Sequence, residues 1–219
     1  MFILLTTFWT EPFLCKYLYT CRAIVKRMFS YMKFSRRELV DILKGWLGIS
    51  IAFTILLSGT GKNTIFAFAI AFATVGLGFL LHELGHKLVA QRYQCWAEFR
   101  SFDQMILFAI ITSFFGFILA APGAVMIQGH VSLKKYGHIA IAGPIVNYIL
   151  ASLFFLFNFL SPNSLSYYGF LINSWLGLFN MIPLGFFDGA KVIKWSKFWF
   201  GVMIIIGIGL IVAQQIMIA

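Results

Sequence analysis

The sequence predicts an all-α polytopic membrane protein, with about five to six transmembrane helices and one re-entrant element. Hydrophobic residues make up 61% of the 219 positions and charged residues only 11%, far below the roughly 25% charged residues of a soluble domain. Apolar runs recur at lengths near the roughly 20 residues that a helix needs to cross a bilayer. The 17 Lys and Arg residues are confined to a few short segments between those runs, as in positive-inside membrane proteins. The net charge of +10 therefore implies attraction to anionic lipid headgroups and no nucleic-acid partner.

Taken in order, residues 1–41 read as a basic amphipathic segment at the membrane interface. The opening MFILLTTFW is apolar but lacks a basic n-region, which makes it a poor signal peptide. Over 17–34, Leu18, Cys21, Val25, Met28 and Met32 share one side, with Arg22, Lys26, Arg27 and Lys33 elsewhere, as in a surface-lying helix. Ser35 and Glu38 form a capping-box pattern, and a helix runs from there into a first span at about 42–58. Further apolar runs cover about 64–90, 104–127, 137–160, 166–187 and 198–217. Trp46, Trp195 and Trp199 fall near the expected interfaces. Cys15, Cys21 and Cys95 form no CxxC pair and are odd in number, so neither a disulfide framework nor a Cys-type zinc site is expected. His130 and His138 read as interfacial residues.

The 64–90 run carries FLLHELGHKLVA towards its end. Ionisable groups inside a transmembrane segment are costly and usually mark function. On a helix, positions i and i+4 share a face, so His82 and His86 can hold one Zn2+ while Glu83 reaches a water bound to it. In a chain with 4 His, chance would place this pattern with a probability of about one in a thousand. Catalytic zinc takes three protein ligands and keeps an open position. Asp188 is the best third candidate, because Asp41 and Asp103 lie on segments entering other runs, whereas Asp188 follows the helix-disturbing Pro183 and Gly185 and precedes Gly189. The alternative is an interfacial Asp188 paired with Lys191 or Lys194.

Topology constrains the run 104–127. A single full crossing there would bring Asp188 out on the opposite side from His86. An element that enters and leaves on one side, turning at Gly116 and the Pro122–Gly123 pair, puts every Lys and Arg except Lys62 on one side and the uncharged loop 161–167 on the other. A β-hairpin ending in AVMIQ, or a broken helix, would serve; non-helical backbone at that depth must be shielded by protein or water.

Three segments in order, HELGH at 82–86, AGPIVN at 142–147 and NMIPLGFFDG at 180–189, resemble the site-2 proteases, which are zinc-dependent intramembrane metalloproteases. The resemblance covers about 64–195. It implies a single intramembrane metalloprotease domain over 42–219 with its catalytic core in that range. It implies His82, His86 and Asp188 as ligands of one Zn2+ and Glu83 as general base. The chain departs from the family pattern where Gly185, Phe186 and Phe187 replace a second proline and where Ala190 replaces a second glycine, and it has no room for the PDZ or CBS domains of many relatives.

The expected function is hydrolysis of peptide bonds in membrane-anchored substrate proteins, within or near the transmembrane segment. The partners are then transmembrane protein substrates and the lipid bilayer of the cell membrane, with the basic loops and the active-site side cytoplasmic. Asn147 and Asn180 are candidates for bonds to the substrate backbone or the developing oxyanion, or else are interhelical glue. A substrate helix must unwind before hydrolysis, and an edge of the 104–127 element could pair with it by strand addition. The runner-up function is a polytopic ion or metal transporter with a midplane His/Glu/Asp site, although no inverted repeat is apparent. A third is a silent metal-binding membrane protein, against which the intact Glu83 argues.

Overall fold

The computed structural model describes residues 32–218 except 60, 62, 119 and 120. Most of the expected amphipathic segment, with Cys15 and Cys21, lies outside the described residues. The fold is mostly helical, and four helices are long and apolar enough to cross a membrane.

Helix α1 (Arg36–Ser58) starts where Ser35 Oγ accepts from Glu38 N at 3.2 Å. The reciprocal arm of the expected capping box is not made, because the Glu38 carboxylate turns inward to Lys87 and the Phe99 amide. Helix α2 (Thr64–Arg92) is capped by Asn63, whose side chain accepts from Ile65 N at 2.9 Å. Its Phe72–Gly76 turn widens into a π-helix, a geometry that loosens the regular ladder. Trp46 Nε1 donates to Phe72 O there at 3.1 Å, and the two rings stack 4.3 Å apart. These contacts tie Trp46 on α1 to the π turn of α2. Gln94, at φ 61, ends the α2 turn, as a left-handed residue after a helix commonly does.

Where a β-hairpin or a broken helix was expected within 104–127, the structure has a short helix between two paired strands, the first of which precedes that run. Strand β1 (Trp96–Ser101) leads into helix α3 (Asp103–Ser113), and the chain returns as strand β2 (Gly123–Gln128). The strands pair antiparallel, with Ser101 opposite Gly123 and Trp96 opposite Gln128. Phe102 N donates to Pro122 O at 2.9 Å, so the excursion leaves and returns at one end of the sheet. An 11-residue helix extends about 16 Å, half of a hydrocarbon core. The strand AVMIQ was expected; its partner, WAEFRS, read only as part of a polar segment.

Helix α4 (Leu133–Leu160) contains Pro144, and a capping box of Asn163 and Ser166 starts helix α5 (Ser164–Asn180). The short link makes these two helices neighbours. The expected run 166–187 stops early. Helix α5 ends at Asn180, residues 181–187 form an irregular loop with Gly185 at φ 47, and a short helix α6 (Asp188–Trp195) follows. Pro183 lacks the amide to continue the ladder, and Gly185 supplies the left-handed turn. Helix α7 (Lys197–Ile218) closes the chain. The 17 residues of α5 reach about 25 Å, so it is a shorter fifth member beside the four span-length helices.

Apolar packing joins α1, α2 and α5 through Ile49, Val75 and Ile172. A second cluster joins α4, α6 and α7 through Ala140, Val192 and Met203, with Met181 from the loop. Gly189 permits the loop to fold over α6, since a Cβ there would stand 2.1 Å from Met181 O. Gly189→Ala is expected to destabilise the fold by about 1–3 kcal/mol through overpacking. Gly201→Ala, where a Cβ would meet nothing within 4 Å, is expected to be neutral or stabilising. Thermal unfolding of the two variants in detergent checks the contrast.

Candidate metal centre

His82 and His86 lie one turn apart on α2, and both are buried. Their Nε2 atoms are 3.0 Å apart. Asp188, the first residue of α6, brings Oδ2 to 3.0 Å from His86 Nε2 and 3.3 Å from His82 Nε2. Three donor atoms from two distant parts of the chain thus form one small triangle. The ligands of a tetrahedral zinc ion, bonded at 2.0–2.1 Å, stand about 3.3 Å from one another.

The tautomers of both histidines follow from their other ring nitrogens. His86 Nδ1 is 2.7 Å from Ile139 O, and a carbonyl only accepts, so Nδ1 carries the proton. His82 Nδ1 is 2.5 Å from Asn147 Oδ1. The orientation of that amide is set in turn: Asn147 Nδ2 donates to Asn173 Oδ1 at 3.0 Å and to Gly78 O at 3.3 Å. Asn173 Nδ2 donates to Gly169 O at 2.8 Å. The chain of donors therefore ends with His82 Nδ1–H donating to Asn147. In the neutral form of each ring, with Nδ1 protonated, Nε2 presents its lone pair towards the other ring and the carboxylate, an arrangement suited to a cation among them. Two neutral imidazoles and one carboxylate form a donor set suited to zinc, and the backing of each histidine by an acceptor is the usual outer-shell pattern of zinc sites.

The motif AGPIVN supplies one of these two acceptors, Asn147, and Ile139 precedes it on the same helix. Ile139 and Asn147 are on α4 with Gly143 between them. A Cβ at Gly143 would stand 2.4 Å from His86 Nε2 and 2.6 Å from His82 Nε2, so only glycine leaves the donor atoms room. Gly85 also brings α2 close to α4, its would-be Cβ 3.2 Å from Ala142 O.

Glu83 is buried beside the histidines, with its carboxylate within 4.8 Å of their ring nitrogens. Its Oε2 accepts from Val125 N at 2.9 Å. The catalytic candidate is thereby tied to the re-entrant strand. Asp188 answers both readings of it at once. Oδ2 faces the histidines, while Oδ1 takes Lys191 Nζ at 3.1 Å.

Of the two asparagine candidates, Asn147 meets the cluster through His82. Asn180 donates to Leu176 O on its own helix at 2.8 Å. Among the expected interfacial histidines, His138 bonds Tyr93 Oη through Nδ1 at 2.6 Å and lies edge-on to Trp195. Sequence reasoning missed Asn173; Lys191 was named as a partner of Asp188, but only as the alternative to a metal role, whereas the structure has both. A fully buried amide in the middle of an apolar helix was the available signal for Asn173, since such groups need partners in the membrane. Asn173→Ala is expected to weaken zinc retention by about 10–100-fold although the side chain touches no ring nitrogen. Titration with a competing chelator measures this, and unchanged retention would dissociate Asn173 from the site.

No protein-family model matches the chain, and no solved structure does. Two proteins of Methanocaldococcus jannaschii are similar to it. The first, provisionally named zinc metalloprotease MJ0611, is 39% identical over 189 residues, covering 83% of this chain and 95% of its own length. The second, zinc metalloprotease MJ0392, is 30% identical over 152 residues, which is 66% of this chain and 39% of that protein. Together with the three motifs, this similarity means that the chain belongs to the zinc metalloprotease family represented by these relatives, consistent with its site-2 protease resemblance.

Proposed function

We propose that this metalloprotease is an intramembrane endopeptidase that hydrolyses peptide bonds of membrane-anchored proteins within or near their transmembrane segments. The observation that carries the reading is the buried meeting of His82, His86 and Asp188 donor atoms, with Glu83 beside them, on a helix of membrane-crossing length. In this reading His82 and His86 hold a single zinc ion through Nε2, and Asp188 through Oδ2. Zinc, when bound, supplies polarisation of the scissile carbonyl and acidification of water. Glu83 accepts the proton of the attacking water and delivers it to the leaving amine. Asn147 orients His82, a positioning role rather than contact with substrate. Asn180 receives no role in the chemistry.

Strand β2 gives the substrate a place to lie. Val125 N points away from β1 towards Glu83, and Gly123 and Ile127 face the same way by the two-residue strand period. An unwound stretch of a transmembrane helix adds to this edge as a strand, its backbone bonded and its scissile peptide beside Glu83. The segments rich in Lys and Arg, and with them the site's side of the protein, face the cytoplasm.

The test is cleavage of a single-span substrate in proteoliposomes, with the cut mapped by mass spectrometry. Cleavage within or next to the span is expected; cleavage confined to distant soluble loops rejects the intramembrane reading. Glu83→Gln is expected to keep its zinc and lose about 10²–10⁴-fold in turnover. Asp188→Ala is expected to lose most of its zinc along with activity. Full occupancy with normal proteolysis would remove Asp188 from the site.

The orientation has its own check. Single cysteines at positions 92, 134 and 194 are expected to react with an impermeant thiol reagent from one side of the membrane, and a cysteine at 163 from the other. Labelling of 92 and 134 from different sides would refute the re-entrant arrangement.

A further inference from the structure

Lys87 follows His86 directly, yet its side chain and that of Glu38 are both 0% exposed. Lys87 Nζ lies 2.5 Å from each carboxylate oxygen of Glu38. The Phe34 ring covers the ammonium at 4.0 Å. A lysine near the end of an apolar helix ordinarily extends its charge to the interface; here it turns inward. For stability alone, a well-packed apolar pair would serve as well or better. What the ion pair adds is fixed geometry, and the neighbouring bonds indicate what it fixes.

Glu38 Oε1 accepts from Phe99 N at 2.9 Å on the outer edge of β1. Phe99 lies directly opposite Val125, whose amide points out from the other edge to Glu83. The two amides of this pair therefore point in opposite directions, and each ends on a carboxylate. Glu83 and Lys87 are one helical turn apart on α2. The links close into a ring: Glu83 to Val125, across the sheet to Phe99, then to Glu38, to Lys87, and back along one turn of helix.

We propose that Glu38 and Lys87 are positioning residues that clamp the two-stranded sheet against α2 and so set the substrate-facing edge of β2 at a fixed place relative to Glu83. The consequence for substrate rests on the proteolytic reading above; the clamp itself does not. It also accounts for the missing arm of the capping box, since the Glu38 carboxylate is committed to the sheet.

Three forms of the full-length protein test this: the unaltered chain, the double variant Glu38→Gln/Lys87→Met, which keeps an acceptor for Phe99 N, and Glu38→Leu/Lys87→Met, which removes it. Hydrogen exchange in detergent is followed for Phe99 and Val125. In the unaltered chain both amides are expected to exchange as slowly as those inside the β1–β2 ladder, although both point out of it; fast exchange of either overturns the clamp without any variant. In the Leu/Met form, exchange across 123–128 is expected to rise about tenfold or more, although Glu38 touches only β1. The Gln/Met form keeps the bond to Phe99 N but loses the tie to Lys87, and its exchange is expected to lie between the other two. Unchanged exchange at 123–128 in the Leu/Met form, or equal deprotection in both, overturns the proposal.

Turnover of the single-span substrate supplies the functional arm. The Leu/Met form is expected to keep its zinc and its unfolding temperature while kcat falls about 10–100-fold, as displaced reacting groups do. The Gln/Met form, which keeps one of the two links, is expected to lose less kcat than the Leu/Met form. A loss of kcat that merely follows a loss of stability would assign the pair a structural role and overturn the positioning claim. Absence of proteolysis in the unaltered chain rejects the proposed function, and the exchange measurements still decide the clamp.

Discussion

Two imidazole nitrogens that face each other 3.0 Å apart repel unless something positive lies between them, and most of the architecture serves to hold them there. Each ring must be fixed with its proton on the far side, which requires an acceptor behind it. Those acceptors, Ile139 O and Asn147 Oδ1, sit on α4. Helix α4 comes close enough because Gly143 and Gly85 occupy the contact. Small residues at helix contacts are how membrane helices approach one another when hydrophobic association is weak. The third donor arrives because a helix that would have run through residue 187 is broken, which leaves Asp188 at the start of a short helix.

The same economy governs the polar groups around the centre. In a bilayer no water satisfies a stray amide or carboxylate, so each one ends on another. Asn173 serves Asn147, which serves His82. Asp188 uses one oxygen towards the histidines and the other for Lys191. The two-stranded sheet follows this rule at both edges, with Glu38 on one and Glu83 on the other. A small sheet of this size is marginal by itself. Placed against α1 and α2 with one amide on each outer edge bonded to a carboxylate, it becomes a firm edge next to the candidate base.

Several parts of this arrangement were legible in the residues. The i, i+4 spacing of His82 and His86 is local, so their common face needed only the helix that the apolar run already implied. Pro183 and Gly185 announced a break, and AVMIQ read as strand-like. Other parts were not. Glu38 satisfied a local capping pattern, yet its carboxylate went to a lysine far along the chain, because a buried ammonium outweighs a terminal amide. The strand at 96–101 alternates Ala97 and Phe99, both buried, with Glu98 and Arg100, but over only four residues, too short a signal to stand out from the polar segment around it. The bond of the Trp46 indole to Phe72 O was equally silent in the sequence, because it depends on the π turn at Phe72.

By itself, then, the sequence determined the membrane class, the helical runs, the His82–Glu83–His86 face and the chemistry these residue types can perform. Each depends on composition or on contacts within a few turns of one helix. Only the tertiary structure decided that Asp188 closes the triangle, that Asn173 and Asn147 set the His82 tautomer, and that Glu38 and Lys87 grip the sheet bearing the Glu83 contact. These depend on distances between segments far apart in the chain, and such distances are fixed by how whole helices pack, not by the order of residues along any one of them.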